Sequence, residues 1–253
     1  MSLSFRQKEI LNMVRASGRV EVEALAESLE VTPQTIRRDL NTLCDEGHLT
    51  RVHGGAILQS GVANTAYEAR KSMAAEAKTA IGQLCADAIP DDASLFINIG
   101  TTTESVARAL RTRRDLLVIT NNLNVANIMA GNPNCGVMVT GGMLRRSDGG
   151  LVGEQTLDTV KQFKADYAII GVSAIDEDGS LLDFDYREVR VSQAIIANAR
   201  KVFLVADASK LTRSAPARIG HMRDIDGFFT DKPLPAPLAQ ICSQHGVDVQ
   251  TIG

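Results

Sequence analysis

Between residues 94 and 252 the chain alternates short apolar runs with segments of helical periodicity, and this rhythm restricts the fold more than any other feature. The runs are Ser94 to Ile99, Leu116 to Thr120, Val137 to Thr140, Tyr167 to Ile170, Val202 to Val205, Gly227 to Thr230 and Val247 to Ile252. Helical spacing fills Glu104 to Leu110, Asn124 to Ala130, Glu154 to Phe163, Arg187 to Ala199 and Pro235 to His245. Strands alternating with helices build βαβ units, so the expected architecture is α/β, with a mostly parallel sheet covered on both faces. No internal repeat or low-complexity segment interrupts it.

Ligands of such sheets sit beyond the carboxyl ends of the strands. Those ends hold Gly100-Thr101-Thr102-Thr103, Thr120-Asn121-Asn122, Thr140-Gly141-Gly142 and Asp207 to Lys210. Glycine admits close backbone approach, hydroxyls and helix N-terminal amides suit a phosphate, and Lys210 offers a cation. Taken singly, each has a plainer reading: a capped turn, an asparagine cap, a solvated lysine. Four such ends on one sheet edge favour an anion site. Arg145, Arg146 and Asp148-Gly149-Gly150 form a further loop able to close over it. Asp183, Asp185, Tyr186, Arg187 and Glu188 precede a helix, where capping and contact with ligand hydroxyls both remain open. Asp176 to Gly179 reads as a turn. Neither a Walker pattern nor Gly-x-Gly-x-x-Gly occurs, which disfavours nucleotide binding.

The first 58 residues have another character. Ser4 and Gln7 fit a capping box, and Phe5, Ile10, Met13 and Val14 give an approximately helical apolar stripe that Gly18 ends. A second helix is expected from Val22 to Leu29. Glu30 and Val31 then turn the chain into Thr32, a good N-cap, with Pro33 at the first helical position. In the helix expected over residues 33–46, Ile36, Leu40 and Leu43 face inward, leaving Gln34, Thr35, Arg37, Arg38 and Asn41 outward. Two helices across a short turn, the second with groove-reading residue types outside, form the helix-turn-helix plan. Residues 49–57 read as a hairpin wing carrying Arg51 and His53. A solvated amphipathic helix is the plain rival, but cap, proline, preceding helix and hairpin agree against it. Net charge is −3, and bases and acids nearly balance over residues 1–58, so position and not bulk charge identifies the surface. Aromatic residues are not interleaved with the bases, which argues against single-strand binding.

The expected organisation is therefore a winged helix-turn-helix over residues 1–58 (helix-turn-helix about 20–39), a linker over 59–72 and an α/β sensor over 73–253. A helix from Met73 to Ala88 opens the sensor. Cys44, Cys85, Cys135 and Cys242 are scattered without metal spacing, so reduced thiols, a cytoplasmic location and neither metal nor cofactor are expected. The N-terminus lacks the apolar core of a secretory signal, and no apolar stretch is long enough to span a bilayer.

The run Thr32 to Leu40 with Arg51-Val52-His53-Gly54-Gly55-Ala56 resembles the DNA-binding signature of the DeoR family of repressors. Gly100 to Thr102, Thr120 to Asn122, Gly141-Gly142 and Asp207 to Lys210 resemble that family's sensor, which is similar to sugar-phosphate isomerases. The resemblance spans essentially the whole chain. It implies operator contacts from Thr32, Gln34, Thr35, Arg37, Arg38, Asn41, Arg51 and His53, and a phosphorylated effector that relieves repression. Effector contacts are expected from Gly100, Thr101, Thr102, Thr103, Asn121, Asn122, Gly141, Gly142, Asp148, Asp183, Glu188 and Lys210. Leu95 to Gly100, Asn121 to Asn127, Ser147 to Gly150 and Asp183 to Arg190 resemble the branch that controls glycerol genes in response to sn-glycerol 3-phosphate. A homo-oligomer, a tetramer, is implied as well. Asn98 departs from the family, many members of which have Asp there, which puts a ligand contact from that position in doubt. Two rivals stand beside this reading: a repressor answering another sugar phosphate, and an isomerase-like enzyme using carboxylates of Asp176 to Asp178 or Asp183 to Glu188 as its base.

Overall fold

A computed structural model describes residues 3–17, 19–46, 48–52, 54–58 and 67–252. The N-terminal unit runs α1 (Phe5–Ser17), β1 (Arg19–Glu21), α2 (Val22–Ser28), α3 (Pro33–Asp45), β2 (Leu49–Val52) and β3 (Gly55–Leu58). Ser4 and Gln7 form the capping box: the Gln7 amide donates to Ser4 Oγ at 3.2 Å and the Ser4 amide to Gln7 Oε1 at 2.9 Å. The stop expected at Gly18 lies outside the described residues. Ile10, Val14, Leu25, Ile36, Leu40, Leu43 and Leu49 share one buried core. Phe5 does not join it and is 79% exposed. Five residues before Ile10, it lies about 140° around α1 from the buried stripe, so the core-facing run begins at Ile10. β2 and β3 form the expected antiparallel hairpin, and β1 pairs with the free edge of β3, an addition that three residues of sequence did not announce. Glu30, in the turn between α2 and α3, has φ of +51°, the left-handed region that a side chain disfavours.

The second unit opens with α4 (Tyr67–Ser72) and α5 (Ala75–Asp87). A parallel sheet follows, built from β4 (Ser94–Ile97), β5 (Leu116–Thr120), β6 (Cys135–Val139), β9 (Ala165–Ile170), β12 (Ala199–Val205), β14 (Gly227–Thr230) and β15 (Asp248–Thr251). Its strand order is β15-β14-β12-β9-β4-β5-β6. Helices α6 (Thr101–Ala109) and α7 (Leu123–Met129) join α5 on one face; α8 (Glu154–Lys161), α9 (Tyr186–Ala197) and α10 (Ala236–His245) cover the other. Successive strand residues feed opposite cores: Leu95 and Ile97 pack beneath α5 and α6, while Phe96 between them packs toward α8 and α9. Burial on both faces is why the central strands β4, β9, β12 and β14 read as continuous apolar runs.

Three features depart from the alternation. β7 (Met143–Arg145) and β8 (Gly150–Val152) form a hairpin where a loop is expected, and β10 (Ala174–Ile175), β11 (Ser180–Asp183) and β13 (Ala217–His221) form a small antiparallel sheet. Elements this short carry too few alternations to announce themselves. The third is α4, which occupies the end of the expected linker, because Tyr67 donates to the buried Glu104 carboxylate at 2.9 Å and Arg70 pairs with Asp148 at 3.2 Å. Among the described residues no helix is long and apolar enough to cross a membrane, and the four cysteines are free thiols.

Candidate functional site

The outer face of α3 starts at its cap. The Thr32 hydroxyl accepts the Thr35 amide at 3.3 Å, with Pro33 at the first helical position. Ile36, Leu40 and Leu43 are buried, which turns Gln34, Arg37, Arg38 and Asn41 outward, exposed, with Thr35 half-buried. Arg37 meets Glu23 of α2 at 3.2 Å. Arg51 projects from the hairpin and donates to the Gly55 carbonyl at 3.1 Å. Arg6 escaped sequence reasoning. It pairs with buried Asp39 at 2.5 Å, ties α1 to α3, and lines a shallow cleft with Gln34, Thr35 and Arg38. Its signal would have been an acid on the inward face of α3, which needs a cationic partner. His53 lies outside the described residues.

The second site sits where the order of strands in the parallel sheet reverses. From β4 the chain builds β5 and β6 to one side, then returns to place β9 on the other, so the carboxyl ends of β4 and β9 open a crevice. Asn98 spans it: its Oδ1 accepts the Gly171 amide at 2.9 Å, and its Nδ2 donates to the Gly171 carbonyl at 3.3 Å and Ser192 Oγ at 3.2 Å. Its amide group is thus engaged in holding two strand ends together. Asp in its place would lack the donor for the Gly171 carbonyl.

Around this crevice runs a narrow cleft lined by Arg70, Gly100, Thr101, Thr102, Ser173, Asp183, Glu188 and Lys210, among others. The first turn of α6 leaves the amides of Thr101, Thr102 and Thr103 without intrahelical acceptors. Four cations gather beside it. Arg70 reaches in from α4, Lys78 from α5, and Lys210 and Arg213 from the segment after β12. Lys78 is buried and donates to the carbonyls of Arg70 and of Met73, the latter at 2.7 Å. Burial and the charge of Arg213 push Lys210 down to about 7. Burial and Arg70 lower Arg213, and burial lowers Lys78, with Arg70 and Arg213 adding to the effect. Asp207 offsets part of this, but the cations still oppose one another's charge, and an anion entering the cleft would relieve them.

The far wall is acidic and already paired. Asp183 accepts Ser173 Oγ at 3.0 Å and the Phe184 amide at 2.6 Å. Arg145 fans out to Asp148 at 2.8 Å, Asp185 at 3.0 Å and Glu188 at 2.5 Å. Arg70 reaches Asp148 as well, at 3.2 Å. Burial, with Asp183 nearby, raises Glu188 to about 8 despite Arg145. The loop expected to close over the site is thus a hairpin whose Arg145 and Asp148 knit the wall.

The remaining sequence-derived residues lie elsewhere or are otherwise engaged. Gly141 and Gly142 do not reach the cleft. They follow β6, an edge strand two places from the crevice, and Gly142, at φ +129°, passes so close to Thr156 and Val152 that a Cβ would overlap them. Asn122 caps α7 by accepting the amides of Asn124 and Val125, and Asn121 donates to the Leu151 carbonyl at 3.0 Å. The Thr103 hydroxyl holds the turn into α6 by donating to the carbonyls of Asn98 and Gly100 at 2.9 and 2.8 Å. Sequence reasoning missed Arg70, Lys78 and Arg213. Of these only Arg213, three residues past Lys210, carried a local signal.

The chain matches the DeoR-like helix-turn-helix domain over residues 6–62 and the DeoR C terminal sensor domain over residues 73–232. It is 44% identical over 250 residues to the glycerol-3-phosphate regulon repressor of Escherichia coli (strain K12), covering 99% of both chains. Identity to the protein of the same name in Haemophilus influenzae is 46% over 91% of this chain and 90% of the relative. The HTH-type transcriptional repressor CsqR of E. coli is 43% identical over 96% of this chain and 94% of its own. Among solved structures, ribose 5-phosphate isomerase from Plasmodium falciparum is similar with a TM-score of 0.39 and 13% identity, covering 53% of this chain and 52% of that one. On the two domain matches and near-full-length identity, this chain is a member of the DeoR family.

Proposed function

We propose that this protein is a transcriptional repressor that holds operator DNA through α3 and the β2–β3 wing and lets it go when sn-glycerol 3-phosphate enters the cleft. Arg37, Arg38 and Arg51 grip phosphate or guanine, while Gln34, Thr35 and Asn41 face base edges. Two recognition helices, about 34 Å apart on successive major grooves, require at least a dimer. The ligand's phosphate settles on the Thr101–Thr103 amides among Arg70, Lys210 and Arg213, and its hydroxyls face Asp183 and Glu188. The observation that carries this reading is the gathering of four cations at the first turn of α6. Repression of a glycerol-3-phosphate regulon is supported by the names of the relatives at 44–46% identity.

A binding role, not catalysis, is supported by the repressor relatives and the DNA-binding domain match, and the carboxylates are engaged within the protein, Glu188 with Arg145 and Asp183 with Ser173. Nearly equal identity to CsqR, a repressor of another name, means that likeness of this degree does not by itself fix the effector, and a second reading is the same repressor answering another sugar phosphate. Calorimetric titration with sn-glycerol 3-phosphate and a panel of sugar phosphates tests both. Saturable binding of one of them, weakened at least tenfold in Lys210→Met and Arg213→Met, is expected. Unchanged binding in both variants would remove the cleft as the site.

A further inference from the structure

Seven large apolar side chains are exposed among the described residues, and five of them fall between residues 117 and 144: Leu117, Met138, Val139, Met143 and Leu144, from 40% to 68% exposed. The parallel register of β5 and β6 sets Leu117 against Gly136 and Ile119 against Met138. Leu117 and Met138 therefore rise on the same face as Ile119. Over β9, β12 and β14 that face is closed by α8, α9 and α10; over β5 and β6 it stays open. Parallel sheets ordinarily bury both faces, so this bare margin is anomalous for an isolated chain.

β6 is also a sheet edge, presenting unpaired backbone groups along one side. Natural edges are commonly defended by charge, above all by lysine. Here, no Asp, Glu, Lys or Arg occurs from Leu116 to Leu144. The missing charge also selects the occupant. Across a two-fold axis each residue near the axis meets its own twin, so any charge would face itself, while a neutral apolar strip with a free edge is complementary to itself.

We infer that the open face and edge of β5–β6, with Met143 and Leu144 of β7, form the interface through which a second copy of this chain docks. The choice of occupant rests on the reading of the protein as a repressor that needs two recognition helices; the existence of the surface does not. The β7–β8 hairpin turns Met143 and Leu144 outward, while its Arg145 binds Asp148, Asp185 and Glu188 at the cleft. Subunit contact and the cleft wall therefore share one hairpin.

Sedimentation equilibrium on the full-length protein at tens of micromolar tests this. The wild type is expected to be a dimer or larger, and Met138→Lys/Leu144→Lys to fall to half that mass or less while still binding the effector. Mixing Met138→Lys with Met138→Glu should restore association, because opposite charges then face each other across the axis. Should the double variant fail to fold by circular dichroism, Met143→Cys at an exposed position serves instead. A bis-maleimide should join two copies of it, well above the level seen with wild-type protein or with Arg200→Cys on another strand. A monomeric wild type would overturn both this interface and the paired-helix model of DNA binding. An oligomer whose mass is indifferent to the lysine pair, or whose Met143→Cys variant does not cross-link, would overturn the interface alone.

Discussion

Arg37, Arg38 and Arg51 stand exposed on one helix and one hairpin, whereas Arg70, Lys78, Lys210 and Arg213 are drawn inward from separated parts of the chain. The first set keeps its water. Its charge costs the fold little, and removing one member alters contacts with a partner more than the protein itself. The second set is partly desolvated and mutually repelling, held by surrounding structure in a state that an anion improves. On the proposed reading, the exposed cations are a gripping surface and the inward ones a sensor poised to respond.

The largest effect expected from this contrast is at Arg145, which is only 16% exposed and serves three carboxylates. Arg145→Met leaves Glu188 without its cation and Asp148 with Arg70 alone, and should destabilise the sensor by about 3 kcal/mol in denaturant unfolding. Arg37→Ala, on the exposed set, should change stability by less than about 0.5 kcal/mol. Equal effects would break the distinction. Next comes DNA. Arg38→Ala should cost about 1–3 kcal/mol of operator affinity by fluorescence anisotropy if it reads a base, with folding unchanged.

A third expectation concerns pH. Lys210 is held near 7 in the folded chain against 10.5 ordinarily. The unfolded chain therefore binds more protons in that interval, and Lys210 makes stability rise with pH from about 7 toward 10.5. Glu188, raised to about 8 from 4.5, binds its proton more tightly in the folded state, so its contribution is present at low pH and is lost between those values. Melting midpoints across pH should lose the alkaline rise in Lys210→Met, and in Glu188→Gln the decline that accompanies rising pH up to about 8. An anion that draws Lys210 back to its charged form takes up a proton, so effector binding should weaken as pH climbs above 7. A small stabilising effect is expected at Glu30, with φ of +51°. Glu30→Gly should stabilise the N-terminal unit by about 0.5 kcal/mol in thermal unfolding, since relieved backbone strain is partly offset by glycine's freedom in the unfolded chain.

The same contrast explains what could be read from the chain. The face of α3 is local: cap, proline, buried stripe and outward residues lie within a dozen positions, and one helical period relates them. The parallel sheet was legible because its central strands, β4, β9, β12 and β14, are largely buried on both faces. The cleft was legible only in part. Gly100 to Thr102 and Lys210 follow strands directly, but Arg70 sits in a stretch resembling a linker, and nothing near Lys78 reveals that it will be buried beside Arg70. Gly141-Gly142 misled because a strand end carries no mark of its place in the sheet order; β6 lies at the edge, away from the crevice. Asn98 shows the reverse, a residue whose role becomes plain only once β4 and β9 are neighbours.

The central claim is that occupancy of the cleft and grip on DNA exclude each other, and coupling of this kind is reciprocal. The direct test is anisotropy of a labelled duplex, selected by the protein from a randomised pool, titrated with sn-glycerol 3-phosphate. The account predicts release of the duplex by wild-type protein, and retention at the same ligand concentrations by Lys210→Met/Arg213→Met. Duplex held equally tightly by wild-type protein with and without saturating ligand, that phosphate or any sugar phosphate shown to bind, would contradict it.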